Sequence, residues 1–208
     1  MELVAIDLEG SGPQDREHEA ILEIALVPVI DWQPDLAGAY STLVNPQRPI
    51  PRRPWISPGL TDAALRAAPT IEAVEPELAE RIDGKYLVGH NVGVDWRLLH
   101  RRCPTIAPAA LIDTLRLARA RQSDGQHGLA ALLERHDLTR QVHRLAPGSA
   151  PHRALWDTVG SALLLATLAA PLLGDPPDAE ALLDIAGIAI TKPKNPSAIQ
   201  PSLFDPTS

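Results

Sequence analysis

Asp7 and Glu9 close an otherwise apolar run, Leu3-Val-Ala-Ile-Asp-Leu-Glu9. On a strand, side chains two residues apart project from the same face. Both carboxylates then stand together near the carboxyl end of the first strand. Like charges that close repel, and burial makes the repulsion worse. A divalent cation between them removes that cost. Hard cations such as Mg²⁺ and Mn²⁺ take oxygen ligands, and Mg²⁺ uses one or two carboxylates beside substrate phosphate. The plainer reading is a strand-end acid pair facing water.

Two further stretches carry the same kind of chemistry. Val88-Gly-His-Asn-Val-Gly-Val-Asp95 reads as a strand end, a turn of small residues and an acid at the start of a helix. This can deliver a third carboxylate beside the first strand. Equally, Asp95 can simply cap its own helix, which Asp does well. His152-Arg-Ala-Leu-Trp-Asp157 is the third stretch. Helical steps of about 100° put residues five apart on different faces. Asp157 therefore belongs on the helix and His152 in the loop before it, where Pro151 resists extension of the helix. An imidazole titrates near neutrality and can take a proton from an attacking water. Alone, His152 is a surface histidine and Asp157 a solvent-facing acid.

These residues need elements to position them. Residues 3–8, 20–30, 40–44, 86–89 and 110–113 read as five strands. Residues 61–68, 70–82, 114–121, 127–136 and 154–173 read as helices, with another through 96–101. Strands first, then strands alternating with helices, give an α/β domain with a mixed sheet. The segment 9–19 and the proline-dense segment 45–58 read as loops. Residues 1–175 form the expected domain, 176–191 a short helical extension and 192–208 a flexible tail rich in Pro and Ser.

The chain has 208 residues, one cysteine and a formal net charge of −7. Proteins that coat long duplexes usually present a basic face. An acidic total does not exclude a nucleic-acid enzyme, but for one it argues for grip on a few nucleotides at a strand end, with metal ions supplying local positive charge. No run of about 18 apolar residues is expected to span a membrane. Met1-Glu2-Leu3 lacks a basic region followed by an apolar stretch, so no secretory signal is expected. Cys103 has no internal partner, which suits a reducing cytoplasm. Phosphate-binding Gly-rich loops, zinc-type Cys clusters and nucleophile elbows are lacking.

In this order, the three stretches resemble those of the DEDDh (DnaQ-like) exonucleases, which include polymerase proofreading subunits and exonuclease X. The likeness rests on Ala5-Ile-Asp-Leu-Glu9, Gly89-His-Asn-Val-Gly-Val-Asp95 and His152-Arg-Ala-Leu-Trp-Asp157. Leu43-Val-Asn-Pro46, Gly59-Leu-Thr-Asp62, Leu111-Ile-Asp-Thr114 and Gly128-Leu-Ala-Ala-Leu-Leu133 support it. The resemblance implies a ribonuclease-H-like fold with a central mixed five-stranded sheet flanked by helices. It implies a 3′→5′ exonuclease that holds two divalent cations, Mg²⁺ or Mn²⁺, and releases nucleoside 5′-monophosphates. Asp7 would bridge the cations, Glu9 and Asp157 would complete one site, Asp95 would hold the other, and His152 would be the general base. The expected substrate is a single-stranded or frayed 3′ end, DNA before RNA. An RNA-trimming enzyme of the same chemistry is the alternative. Gly10, Ser11, Leu60 and Asn91 are the expected substrate contacts. Gly10-Ser11 stands where relatives carry Thr-Thr or Thr-Ser, and Pro58-Gly-Leu-Thr61 stands where they carry His-Gly-Ile-Thr.

The tail carries Gln200-Pro-Ser-Leu-Phe204, with the only Phe of the chain. It resembles the short peptide by which bacterial replication and repair proteins hold the sliding clamp. Gln200, Ser202, Leu203 and Phe204 are the expected anchors, and a replicative polymerase is a further candidate partner. A non-catalytic clamp adaptor is the competing class, although an adaptor has no need of mutually repelling acids.

Overall fold

Alternation along the first strand sets the whole layout. A computed structural model describes residues 1–190, except Arg52, Trp55, Ser123 and the side chains of Pro13, Arg16 and Glu17. In β1 (Leu3–Gly10), Leu3 and Ala5 enter one apolar cluster, while Val4 and Ile6 enter a second on the opposite face. Asp7 and Glu9 continue the register of Leu3 and Ala5.

β1 is the centre of a mixed sheet. It pairs antiparallel with β2 (Ile21–Ile30) and parallel with β5 (Tyr86–Gly89). β5 pairs parallel with β6 (Ala110–Asp113), and β4 (Tyr40–Leu43) lies antiparallel along β2. β3 (Gln33–Pro34) and β7 (Gly187–Ile188) extend the two ends, pairing with β2 and β6. Among the described residues the sheet thus has seven strands, not the expected five. Two-residue strands are too short to leave a periodic signal.

Helices cover both faces. α2 (Ile71–Ile82) and α3 (Gly93–Arg102) bury Val74, Leu78, Ile82, Leu98 and Leu99 against Val4, Ile6 and Leu87. α1 (Asp62–Arg66) precedes them, with Thr61 accepting the Ala64 N–H as its cap at 3.2 Å. On the other face lie α4 (Thr114–Arg121), α5 (Leu129–Arg135), α6 (Thr139–Leu145), α7 (Ala154–Leu173) and α8 (Ala179–Ala186). α8 falls within the expected extension 176–191. Its Leu182 and Ala186 join the same core as α7, so that stretch continues the fold.

α7 is the axis of that second layer. It is 20 residues long and apolar enough to cross a membrane by length and composition, which a search for an unbroken apolar run overlooks. Ala154, Trp156, Val159, Leu163 and Leu164 are instead buried against β1, β2 and the neighbouring helices. A helix apolar all round is expected at the centre of a core.

The segment 13–18, expected as loop, forms a 3₁₀ helix (Pro13–His18). Glu19 after it is buried, with its carbonyl accepting from Arg102 at 2.7 Å and its carboxylate facing Arg101 at 3.4 Å. Residues 200–204 lie outside the described residues.

Candidate active site

Four carboxylates meet where β1 leaves the core. Asp7 and Glu9 come from β1, and Asp157 comes from the first turn of α7. One ligand oxygen from each of the three lies within 4.8 Å of the others. Asp95 stands in the first turn of α3, but α3 has no side-chain cap. Its Oδ1 instead accepts the Leu8 peptide N–H at 3.1 Å, which draws the carboxylate across to β1. Gly89 makes the approach of this loop feasible. A Cβ there would meet the Ile6 carbonyl oxygen and the Val92 side chain at 3.0 Å. Asn91, at φ 64°, turns the chain between them, and its N–H donates to Asp113 Oδ1 at 2.8 Å.

The charges oppose one another. Burial, then Asp95, Asp157, Glu9 and Glu23, raise the Asp7 carboxyl well above the usual carboxylate range. Burial first, then Asp157, Glu23 and Asp95, push Glu9 up to about 8, while Arg153 pulls it down. Burial lifts Asp95 to about 7, against hydrogen bonds from the Leu8 N–H and its own peptide. Burial also raises Asp157 to about 6, against the pull of the His152 ring and peptide N–H. Oxygen donors this close, crowded and proton-loving fit a hard divalent cation. With metal–oxygen distances of about 2.1 Å, small side-chain rotations suffice to gather Asp7, Glu9 and Asp157 on one ion.

His152 sits in the turn before α7, as its spacing from Asp157 predicts. It is exposed and holds φ 64°, unusual for a residue with a side chain. The Ser57 hydroxyl donates to its carbonyl oxygen. His152, through its ring and its peptide N–H, lowers the Asp157 carboxyl, so the imidazole lies close to this ligand.

The expected substrate contacts divide. Gly10 packs near Leu98, with a Cβ there reaching 3.0 Å from Leu98 Cδ2. Ser11 turns inward: it is buried, and its hydroxyl accepts the Ala20 N–H at 2.9 Å. The Asn91 side chain is exposed. Leu60 is 7% exposed and clusters with Leu22, Ile50 and Leu65, although it borders a 490 Å³ cavity with Ile56 and Ser57. That packing leaves little of Leu60 open to a nucleotide. The apolar cavity of 440 Å³ bounded by Leu3, Leu26 and Ile30 lies at the opposite end of β1 from the acids.

Three contributors escaped sequence reasoning. Glu23 projects from β2 beside Glu9, and its carboxylate grips Arg153 at 2.7 and 2.8 Å. The signal was present: a charge inside Ile21-Leu-Glu-Ile-Ala-Leu-Val is rarely buried unless paired. Asp113 accepts the N–H groups of Asn91 and Leu115, joining the Asp95 loop to α4. Ser57 had no local signal, because its partner is 95 residues away. His90 steadies the same loop through Thr114 Oγ1 at 3.0 Å and the His127 carbonyl at 2.7 Å.

A mixed sheet between helical layers, with four acids at the end of its central strand, defines a nuclease-type carboxylate centre on a ribonuclease-H-like fold. The family model for exonucleases, RNase_T, matches residues 4–165. A DNA polymerase III subunit epsilon-like protein of Rhodobacter capsulatus is 31% identical over 165 residues, covering 76% of this chain and 22% of its own length. Exodeoxyribonuclease 10 of Escherichia coli K12 is 33% identical, covering 77% of this chain and 65% of its own. The solved exonuclease X in complex with 5′ overhanging duplex DNA superposes with a TM-score of 0.67 at 32% identity, over 88% of this chain and 98% of that one. This chain therefore spans about a fifth of the first of these relatives and about two thirds of the second. The chain belongs to the DEDDh (DnaQ-like) exonuclease family.

Proposed function

We propose that this protein is a metal-dependent 3′→5′ exonuclease that hydrolyses the terminal phosphodiester bond of DNA 3′ ends and releases nucleoside 5′-monophosphates. One observation carries the proposal: oxygens of Asp7, Glu9 and Asp157 gather within 4.8 Å, with His152 in the turn that leads into the Asp157 helix. Family membership supports the same reading.

Asp7, Glu9, Asp95 and Asp157 would hold two divalent cations, Mg²⁺ or Mn²⁺. When bound, these supply Lewis-acid activation of water and neutralise charge on the scissile phosphate. The chain's own residues perform the rest. His152, exposed and at the rim of the acids, accepts a proton at its ring nitrogen from the attacking water. The turn into α7 carries His152 and its first turn carries Asp157, keeping base and ligand in one register. Asn91 and the backbone at Gly10 face the terminal nucleotide.

The exonuclease works in the cytoplasm, in DNA proofreading or repair. Gln200, Ser202, Leu203 and Phe204 tether it to the sliding clamp, and a replicative polymerase is a companion. The polymerase III names of its relatives support the second partner. Digestion of matched 5′-labelled DNA and RNA oligomers, with Mg²⁺, with Mn²⁺ and with chelator, tests the activity. A 3′-shortening ladder on DNA, lost on chelation, is expected. Intact oligomers under every metal would refute it. Deleting residues 200–208 should abolish clamp binding while the ladder on free single strands persists. Unchanged clamp affinity would refute the tether.

A further inference from the structure

We propose that Glu23 and Arg153 are positioning residues for His152, a two-point ion pair between β2 and the entrance of α7 that fixes the imidazole loop over the acids. The proposal rests on the reading of His152 as the base. Arg153 Nε donates to Glu23 Oε2 at 2.7 Å, and Arg153 Nη2 donates to Oε1 at 2.8 Å. The Ala154 N–H, the first of α7, adds a third bond to Oε2 at 3.3 Å. These bonds fall on the two residues that follow His152. They come from a strand 130 positions earlier in the chain.

The location is costly without such a role. Glu23 is 5% exposed and lies in register with Glu9, so it brings a fifth carboxyl group to four that already crowd one another. A helix entrance can be capped by a local Ser or Asp. Here the cap is borrowed from the sheet that carries Asp7 and Glu9. The entrance of α7 and the strand end thereby become one rigid frame.

His152 is held from the other side as well. The Ser57 hydroxyl donates to its carbonyl, and a Cβ at Gly59 would stand 3.4 Å from Arg153 Nη1. Between the two anchors His152 keeps φ 64°, a conformation that local preferences do not supply. Bidentate Arg–carboxylate geometry fixes direction as well as distance, which a lysine at 153 would not reproduce. A misplacement of about 1 Å in a catalytic group costs on the order of a hundredfold in rate.

The test is a double-mutant cycle on the full chain, read as single-turnover rate and KM on a 5′-labelled DNA oligomer with saturating Mn²⁺. Glu23→Gln and Arg153→Lys are each made alone and in a His152→Ala background. Circular dichroism gives the folded fraction. Each single variant should lose about ten- to a hundredfold in rate, with KM unchanged within about twofold. In the His152→Ala background neither should cost anything further. An equal loss in both backgrounds would overturn the proposal, since the pair would then serve general folding or the acids alone. An unchanged rate in the single variants would overturn it too. Should Glu23→Gln fail to fold, Arg153→Lys and Ser57→Ala, which loosens the opposite anchor, complete the same cycle. A full rate in His152→Ala alone would instead reject the base assignment, and this proposal with it.

Discussion

The two ends of β1 solve opposite problems. At its start, Leu3, Val4, Ala5 and Ile6 are buried among apolar neighbours on both faces of the sheet. Burial there is favourable by about 25 cal/mol per Å² of apolar surface. At its other end, Asp7 and Glu9 are brought against Asp95 and Asp157, and every one of the four is driven toward its neutral form. The apolar end makes the fold, and the acidic end is held in place at its expense. Strain of this kind is common at functional sites.

The contrast is broken most severely at Asp7. Asp7→Ala should lower turnover by about a thousandfold or more. The metal-free protein should nevertheless melt at a higher temperature, because the most crowded charge is gone. Single-turnover kinetics and scanning calorimetry on one preparation check both halves. A variant that loses activity and melts lower would mean that Asp7 supports the fold.

The reverse case is Leu26, which lies opposite Ile6 in the register of β1 and β2 and is 1% exposed. Leu26→Ala should cost about 3 kcal/mol of stability in urea unfolding. The rate per folded molecule should not change. A comparable loss in that rate would show that the two ends are coupled.

His152→Ala tests the rim of the acidic end. A drop of about a hundredfold in turnover is expected, with the melting temperature almost unchanged, since the side chain is exposed. A retained rate would remove the imidazole from the chemistry.

The smallest effect is a slope with pH. Without metal, the folded protein holds Glu9 at about 8, Asp95 at about 7 and Asp157 at about 6. The unfolded chain releases these protons near pH 4. Between about pH 4 and 8 the folded state therefore binds more protons, and stability falls as pH rises. The contribution is complete below the unfolded carboxylate pKa and lost as pH passes through the folded values. Asp15 and Glu72, both held low, act only in the acid range. These three carboxyl groups should thus pull metal-free melts down from pH 5 to 8, against the opposite pull of His90 and His136, whose imidazoles burial holds below their usual value. Rising melting temperatures across that window would contradict the electrostatic picture.

The same contrast explains what the sequence made legible. Helices α4 and α7 and strands β5 and β6 fall where periodicity places them, because long apolar patterns report burial directly. Asp7 and Glu9 stood out as charges closing an apolar run, whereas Asp95, His152 and Asp157 were legible as a set only through the family resemblance of their stretches. β3 and β7 are too short to carry a pattern. α6 (Thr139–Leu145) was hidden by its polar composition, with Val142 its only buried residue. Leu60 and Ser11 show a different limit. Residue type suggested contact with substrate, but tertiary packing turns both inward. Glu23 and Ser57 act through partners far along the chain, a relation that no local window contains.

Whether the acidic end is built for cations can be measured without any substrate. Mn²⁺ is titrated calorimetrically into metal-free wild type and Asp7→Ala at pH 7, in two buffers of different ionisation enthalpy. Wild type should bind saturably and release protons, because carboxyl groups held near or above neutrality must ionise to become ligands. Asp7→Ala should lose most of that heat and of the proton release. Equal binding by the two proteins, or no binding by wild type, would contradict a cation centre at Asp7.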